Sequence, residues 1–228
     1  MTEKNRLYRL SGLLYLIVVI TGMFSLVYVP KQLFIYNNPT NTYNNILNNE
    51  TLFRLSIVSS VVCYISFGLL PLYLYRLLRS VDEFIAKLMV FFAVVSVPIS
   101  IYNLHHKYAI LSLVDKIETQ DISERYIQTM IYLKLYDQGI FIATIFWGLW
   151  LLPFGYLVYK SGFMPKVLGI LLMLGCFGYV INFFGHTLSS DYKLLFIRKI
   201  MSVLPSIGEL STCLWLLYVG FRNKNIES

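Results

Sequence analysis

The chain has 228 residues, of which 57% are hydrophobic and only 14% are charged. A soluble domain of this size cannot hide that much apolar surface from water, so the composition excludes a soluble protein and predicts one that lies in a lipid bilayer. The formal net charge of +7 comes from basic residues scattered over the ends of apolar segments. That distribution favours contact with lipid headgroups and argues against nucleic acid as a partner.

Six stretches are long and apolar enough to cross a hydrocarbon core of about 30 Å, which takes roughly 20 helical residues. The chain is therefore predicted to be all-α, with residues 1–228 forming a single integral membrane domain built as a six-helix transmembrane bundle. The predicted spans are approximately residues 10–29, 55–75, 88–104, 139–159, 167–185 and 200–221.

The first span follows Lys4, Arg6 and Arg9, which is typical of the basic start of a signal peptide. Its apolar run is too long for a signal peptide, however, and no small-x-small cleavage site follows it. We expect this segment to remain as a membrane anchor.

Two loops are predicted to carry helical structure of their own. The asparagine-rich loop at residues 36–54 favours turns and caps, with a short helix leading into the second span. In the loop at residues 105–138, Asp121 followed by Glu124 fits a capping box before apolar residues at helical spacing. This pattern predicts an interfacial helix that either runs straight into the fourth span or breaks near Gly139.

Basic residues near the span ends indicate the orientation of the chain. They cluster most tightly around Arg76, Lys160 and Arg222, whereas the basic residues of the opposite loops are diluted by acids. By the positive-inside rule, this predicts that both termini are cytoplasmic.

Residues 69–106 and 151–186 resemble each other. Each segment has a proline in its first helix, a basic turn, and an asparagine followed by histidine at its far end. This predicts a duplicated helical hairpin, and in membrane carriers sites often lie where such units meet. A chance resemblance between two apolar hairpins is the alternative.

Polar and small residues share single faces of four predicted helices, because positions three, four and seven apart lie on one side. Such stripes are expected to face other helices, since lipid offers polar groups no partners. The stripes are Ser96, Ser100 and Asn103 with His106 or Lys107; Asp137, Thr144, Gly148 and Gly155; Gly175, Gly178, Asn182 and His186; and Ser202, Ser206, Glu209, Thr212 and Cys213.

Glu209 is the most informative of these residues because it lies near the middle of an apolar span. An ionised carboxylate there costs on the order of 3 kcal/mol, which a proton, a cation or hydrogen-bond donors must offset. We therefore interpret Glu209, with Asn103, Asn182 and Thr144, as a site for a small polar or cationic ligand or a proton. The alternative is a protonated Glu209 that merely joins neighbouring helices.

An enzymatic alternative uses the ionisable residues at the predicted outer end. Three nitrogen or oxygen ligands and an open water position would suit zinc hydrolysis, although the sequence has no HExxH motif. Read singly, each histidine is an ordinary polar residue at headgroup level. The candidate metal ligands are His105, His106, Asp137 and His186.

Four short motifs together resemble a known family. They are Arg-Leu-x-Gly-Leu-Leu-Tyr at residues 9–15, Leu-Phe-Arg at 52–54, Ser-Gly-Phe-x-Pro at 161–165 and Gly-Glu-Leu at 208–210. Across nearly its whole length the chain is similar to bacterial polytopic membrane proteins grouped as domain of unknown function 4386. The resemblance implies a multi-pass protein of the bacterial cytoplasmic membrane, and it implies no reaction.

Three classes of function remain after these observations. We favour a ligand-binding or transport-like bundle without a cofactor, in which a homodimer would supply surface that six helices lack. The membrane-embedded metal-dependent hydrolase ranks second, so whether the protein is an enzyme is left open. A structural or interaction subunit, whose polar stripes only join helices, is the third.

Overall fold

The computed structural model describes residues 3–115, 121–189, 191–192 and 195–222. Within these ranges all regular secondary structure is helical and there is no strand, which confirms the all-α prediction. The helices are α1 (Glu3–Met23), a π-helical segment (Phe24–Tyr28), α2 (Val29–Leu33), α3 (Pro39–Asn48), α4 (Glu50–Leu78), α5 (Glu83–Asn103), α6 (His105–Val114), α7 (Ile122–Leu149), α8 (Leu151–Lys160), α9 (Lys166–Leu188) and α10 (Phe196–Phe221).

Six helical stretches of the described chain are long and apolar enough to cross a membrane, which confirms the predicted number of spans. They extend beyond the apolar segments because polar and charged residues at the ends continue the helices. The orientation of the termini, the single membrane domain and the duplicated hairpin stay predictions. The six stretches are Glu3–Leu33, Glu50–Leu78, Glu83–Val114, Ile122–Lys160, Lys166–Leu188 and Phe196–Phe221.

Two of these stretches contain a break of one residue. In the third stretch, α5 ends at Asn103 and α6 begins at His105, after Leu104. The interfacial helix takes the first of its two predicted forms, because α7 passes Gly139 without a break. The interruption comes later, at Trp150, where Pro153 lies in the first turn of α8 and lacks the N–H that a continuous helix would use.

Side-chain caps determine where some helices begin. Asn38 accepts a hydrogen bond from the Asn41 N–H, at 3.0 Å, just before Pro39 opens α3. Asp121 accepts from the Ser123 N–H at 3.2 Å and from its hydroxyl at 2.7 Å, ahead of α7. The expected capping box also needed the Glu124 carboxylate to accept from the Asp121 N–H. That expectation is wrong, because the Glu124 carboxylate accepts from the Gln128 amide at 2.9 Å.

The described residues fall into two compact units. The Glu209 unit consists of the chain up to Ile17, Ser66–Ser96 and the chain from Thr144 onward. The Lys107 unit consists of Val18–Ile65 and Val97–Ala143.

In the Glu209 unit, α9 packs against α8 and α10 through glycines. A Cβ on Gly155 would lie 2.6 Å from the Gly169 carbonyl oxygen, and a Cβ on Gly169 would meet the Gly155 oxygen equally closely. Backbones therefore touch directly at this crossing, as small residues permit in membrane helices. Trp150 and Phe154 are fully buried beside this crossing, with stacked rings 5.1 Å apart.

The buried face of α10 differs from the predicted polar stripe. Thr212 and Cys213 are buried as expected, but the expectation was wrong for Ser202 and Ser206, which are exposed. The face that packs against the unit instead follows its small and apolar residues. That buried face is formed by Pro205, Gly208, Thr212, Cys213, Leu216 and Gly220.

The Lys107 unit has an apolar core gathered around the short helices α2, α3 and α6. Ile46, Phe53, Ile110 and Leu133 are fully buried in it. The Tyr43 hydroxyl donates to the Leu113 carbonyl at 3.1 Å, which ties α3 to α6. Ile110 of this core lies on α6, three residues after Lys107, where the polar stripe of α5 and α6 ends.

Candidate functional site

Glu209 occupies a turn of α10 that packs closely against the backbone of α9. A Cβ on its neighbour Gly208 would lie 2.9 Å from the backbone carbonyl of Leu171, so the two helices leave no room for a side chain there. Glu209 follows Gly208 directly and is partly buried at the edge of this contact. The glycine thus sets the position of the carboxylate relative to α9.

Two tyrosines lie near the Glu209 carboxylate. Tyr15 of α1 and Tyr179 of α9 both lie close enough to interact with it electrostatically. Tyr15 is almost completely buried, and its hydroxyl has no hydrogen-bond partner in the described part of the chain. Its ring centroid lies 6.3 Å from that of Trp150, whose indole N–H is likewise buried without a partner.

Glu209 itself has neither a hydrogen bond nor an ion pair within residues 3–115, 121–189, 191–192 and 195–222. A carboxylate in this state has its proton-accepting and cation-binding capacity available. The nearby phenol of Tyr15 is a donor that would serve either an ionised carboxylate or a bound ligand. Chemically, the arrangement is suited to taking up a proton or a small cation.

Asn182 belongs to the same unit as Glu209, but its amide is occupied by other partners. Its Nδ2 donates to the Ser202 hydroxyl at 3.1 Å, and its Oδ1 accepts from the Tyr192 hydroxyl at 2.8 Å. The His186 ring lies 5.3 Å from that of Tyr192, so the predicted Asn182 and His186 come together through this tyrosine. Thr144, also in the Glu209 unit, is partly buried in α7.

Asn103 belongs to the Lys107 unit and bridges two helices. Its Nδ2 donates to the Tyr136 carbonyl at 2.8 Å, and the amide lies so close to α7 that a Cβ on Gly139 would overlap its Oδ1. The stripe that contains Asn103 is buried as predicted, including Ser96 and Ser100.

Lys107 completes that stripe, and its chemistry was missed from the sequence. The residue is fully buried, with 0% of its surface exposed. Its ammonium donates to the Ser56 hydroxyl at 3.1 Å and lies 4.6 Å from the Tyr136 ring centroid and 5.9 Å from that of Phe53. Stripe spacing indicated that either His106 or Lys107 was buried, but a lysine after an apolar run is usually an interfacial residue.

Asp137 supplies the negative charge nearest to Lys107. Its partly buried carboxylate interacts electrostatically with the Lys107 ammonium and with the Tyr36 phenol. Partial burial, followed by the charge of Asp137, raises the pKa of Tyr36 above its usual range, so this phenol stays protonated and remains a donor. The Lys107 unit therefore contains a polar network whose acid and base have partners within the chain.

The candidate metal ligands do not assemble into a cluster. No group of three His, Cys, Asp or Glu side chains suited to a metal ion occurs among the residues that the structure describes. The His105 and His106 ring centroids lie 3.8 Å apart with the rings tilted by 40°, and His105 Nδ1 bonds to the Tyr102 carbonyl at 2.7 Å. The described geometry gives the metal-hydrolase hypothesis no support.

Comparison with known proteins identifies a family for the chain and names no activity. A protein of Archaeoglobus fulgidus described as an uncharacterized protein is 29% identical over 162 residues, which are 68% of this chain and 77% of that relative. Because this relative is archaeal, it does not confirm a bacterial origin. No solved structure matches the chain. The model of the family described as domain of unknown function (DUF4386) matches residues 10–220, and the chain therefore belongs to this family.

Proposed function

We propose that this multi-pass membrane protein binds a small cationic ligand or a proton at Glu209, as part of a binding or transport cycle. The observation that carries the proposal is the partly buried Glu209 carboxylate, which has no hydrogen bond or ion pair in the described chain. It lies on a candidate membrane span beside the unpartnered hydroxyl of Tyr15.

The energetic argument starts from the cost of the charge. An ionised acid at the centre of a span costs on the order of 3 kcal/mol, and hydrogen-bond donors or a cation normally offset that cost. Asn182 does not do so, because its amide is held by Ser202 and Tyr192. A proton or a ligand cation is therefore the partner that the site lacks.

The other predicted ligand contacts remain part of the proposal. Thr144 and Asn182 belong to the unit that contains Glu209, and a ligand that displaces Ser202 or Tyr192 would gain access to the Asn182 amide. Asn103 belongs to the other unit and already bridges two helices there. We expect Asn103 to affect stability more than ligand affinity.

The test measures the protonation and cation affinity of Glu209 directly. In purified protein, the titrating carboxyl infrared band should contain a component from Glu209. This component should be present in the parent and absent in Glu209→Gln. Binding of tetraphenylphosphonium, used as a cation probe, should shift that band. Glu124→Gln is the matched control because Glu124 is an exposed acid outside this site. Equal bands and equal probe binding in parent and Glu209→Gln would overturn the proposal.

Localisation and topology are also proposals: a bacterial cytoplasmic membrane, with both termini on the cytoplasmic side. They are supported by the basic residues that flank the spans, including Arg76, Lys160 and Arg222. Gly162 lies between α8 and α9 with open space around it, so Gly162→Cys in a cysteine-free background gives an accessible label. Labelling by an impermeant reagent is expected only after the membrane is opened, and labelling of intact cells would contradict this topology.

A further inference from the structure

The Glu209 unit has a second polar feature at the ends of its helices. A cavity of about 550 Å³ lies between the start of α1, the turn from α4 to α5, and the end of α8 with the turn that follows. Five of its lining residues carry hydroxyl or ammonium groups on these three segments. The lining residues used in the argument are Lys4, Ser80, Tyr156, Lys160, Ser161 and Phe163.

The charge of this cavity is positive and is not neutralised by its own lining. Lys4 and Lys160 line it, and none of its lining residues is acidic. The nearest acids in the sequence have other partners: Glu3 pairs with Arg76 at 2.7 Å, and Asp82 accepts the Ile85 N–H at 3.0 Å as a helix cap. Within the ranges that the structure describes, neither ammonium group has an acidic partner, so both can attract an anion.

Contacts fix two of the three segments that line the cavity, the start of α1 and the end of α8 with its turn. The Lys4 ammonium lies 3.9 Å from the Phe163 ring centroid, and this cation–π contact holds it at the wall. The Ser161 hydroxyl donates to the Val158 carbonyl at 2.8 Å and accepts from the Met164 N–H at 3.2 Å, which fixes the turn after α8. Lys160, in the last turn of α8, offsets the negative carbonyl end of that helix, which would otherwise repel an anion.

From this combination we infer that the cavity binds a phosphate group. Two lysine ammonium groups with the adjacent hydroxyls of Ser80 and Tyr156 match the compact charge and several acceptor oxygens of a phosphate ester. The cavity lies where candidate membrane spans end, which is the level of lipid headgroups, and Phe163 offers an apolar surface to the rest of such a ligand. A phospholipid headgroup and a soluble phosphate compound share this chemistry.

The experiment compares phosphatidylglycerol, phosphatidylcholine and inorganic phosphate as probes of the purified full chain. Native mass spectrometry in detergent should show retained phosphatidylglycerol, and the double variant Lys4→Gln/Lys160→Gln should weaken that binding about 10-fold or more. Lys31→Gln/Lys134→Gln is the matched control, since both lysines are exposed and belong to the Lys107 unit. Displacement by inorganic phosphate identifies a soluble phosphate site, and retention against it identifies a lipid headgroup site.

A second variant separates the cavity from general surface charge. Ser80→Trp fills the cavity and keeps both lysines, so it should weaken phosphatidylglycerol binding to a similar extent as the lysine pair. Unchanged binding in Ser80→Trp, or equal losses in the two double-lysine variants, would overturn the inference. The thermal unfolding temperature of each variant is also measured. Binding is compared only among variants that unfold at the same temperature as the parent, so that loss of binding is not confused with loss of fold.

Discussion

Glu209 and Lys107 are both ionisable residues on candidate membrane spans, and their surroundings differ in kind. Lys107 is fully buried, donates to Ser56 and lies against the Tyr136 ring. Glu209 is partly buried and has no hydrogen bond or ion pair in the described part of the chain. An ionisable group with partners in the fold is expected to support stability, whereas one without them is expected to meet a partner from outside the chain.

The largest expected effect is on stability in the Lys107 unit. Lys107→Ala removes a fully buried side chain and its bond to Ser56, so we expect the unfolding free energy to fall by about 2–5 kcal/mol. Lys107→Met, which retains much of the volume, should cost less. Titration with denaturing detergent measures the change, and the exposed Lys134→Ala is the control. A loss no larger than that of Lys134→Ala would erase the contrast with Glu209.

The backbone contact that positions Glu209 gives the next largest effect. Gly208→Ala places a Cβ 2.9 Å from the Leu171 backbone, which cannot give way as a flexible side chain would. We expect it to destabilise the protein by about 1–3 kcal/mol. The matched control is Gly22→Ala, where the closest atom is the Cys63 Sγ at 3.4 Å. If the two variants unfold at the same detergent concentration, α10 and α9 are not packed as described.

Replacement of the acids sharpens the comparison further. Glu209→Leu should change the unfolding free energy by less than about 1 kcal/mol, because no donor of the described chain is left without its partner. Asp137→Leu should cost more, roughly 2 kcal/mol or above, since it leaves Tyr36 and Lys107 without their carboxylate. A cost of Glu209→Leu as large as that of Asp137→Leu would mean that Glu209 is a structural contact.

The smallest expected effect on stability concerns Asp121, an exposed acid whose hydrogen-bond partners lie on the next residues of the chain. The Ser123 hydroxyl, followed by the backbone N–H groups, lowers the pKa of Asp121. Because its folded-state pKa is depressed, Asp121 stabilises the helix start above its unfolded pKa, and this contribution disappears as pH falls through the folded value. Asp121→Asn should therefore unfold slightly earlier than the parent at neutral pH. The difference should vanish in acid, and a constant difference would contradict the assignment.

The apolar patterns predicted the helical class and the six spans because apolar length alone determines which segments can cross a bilayer. They did not predict the buried face of α10. That face uses Gly208 and Gly220, whose importance lies in having no side chain, whereas the expectation followed the polar residues Ser202 and Ser206. The helix breaks at Leu104 and Trp150 were also missed.

The candidate site was less predictable than the fold for a related reason. Spacing places residues on one face of a helix, but it does not say which partners they meet. Asn182 and Asn103 were both interpreted as ligand contacts, and both amides are engaged by protein groups. Spacing placed Lys107 on a candidate buried stripe. It did not predict the hydrogen bond to Ser56 or the contact with the Tyr136 ring, because these residues belong to other spans.

The surroundings of Lys107 also have a consequence for how the chain is made. Ser56 and Phe53 precede this lysine in the order of synthesis, whereas Tyr136 and Asp137 follow it. A lysine without its partners is costly in lipid, so release of the segment Glu83–Val114 into the bilayer is unfavourable until Tyr136 and Asp137 have been synthesised. We expect this segment to remain at the machinery until Ile122–Lys160 has been synthesised, so that the two enter the bilayer together.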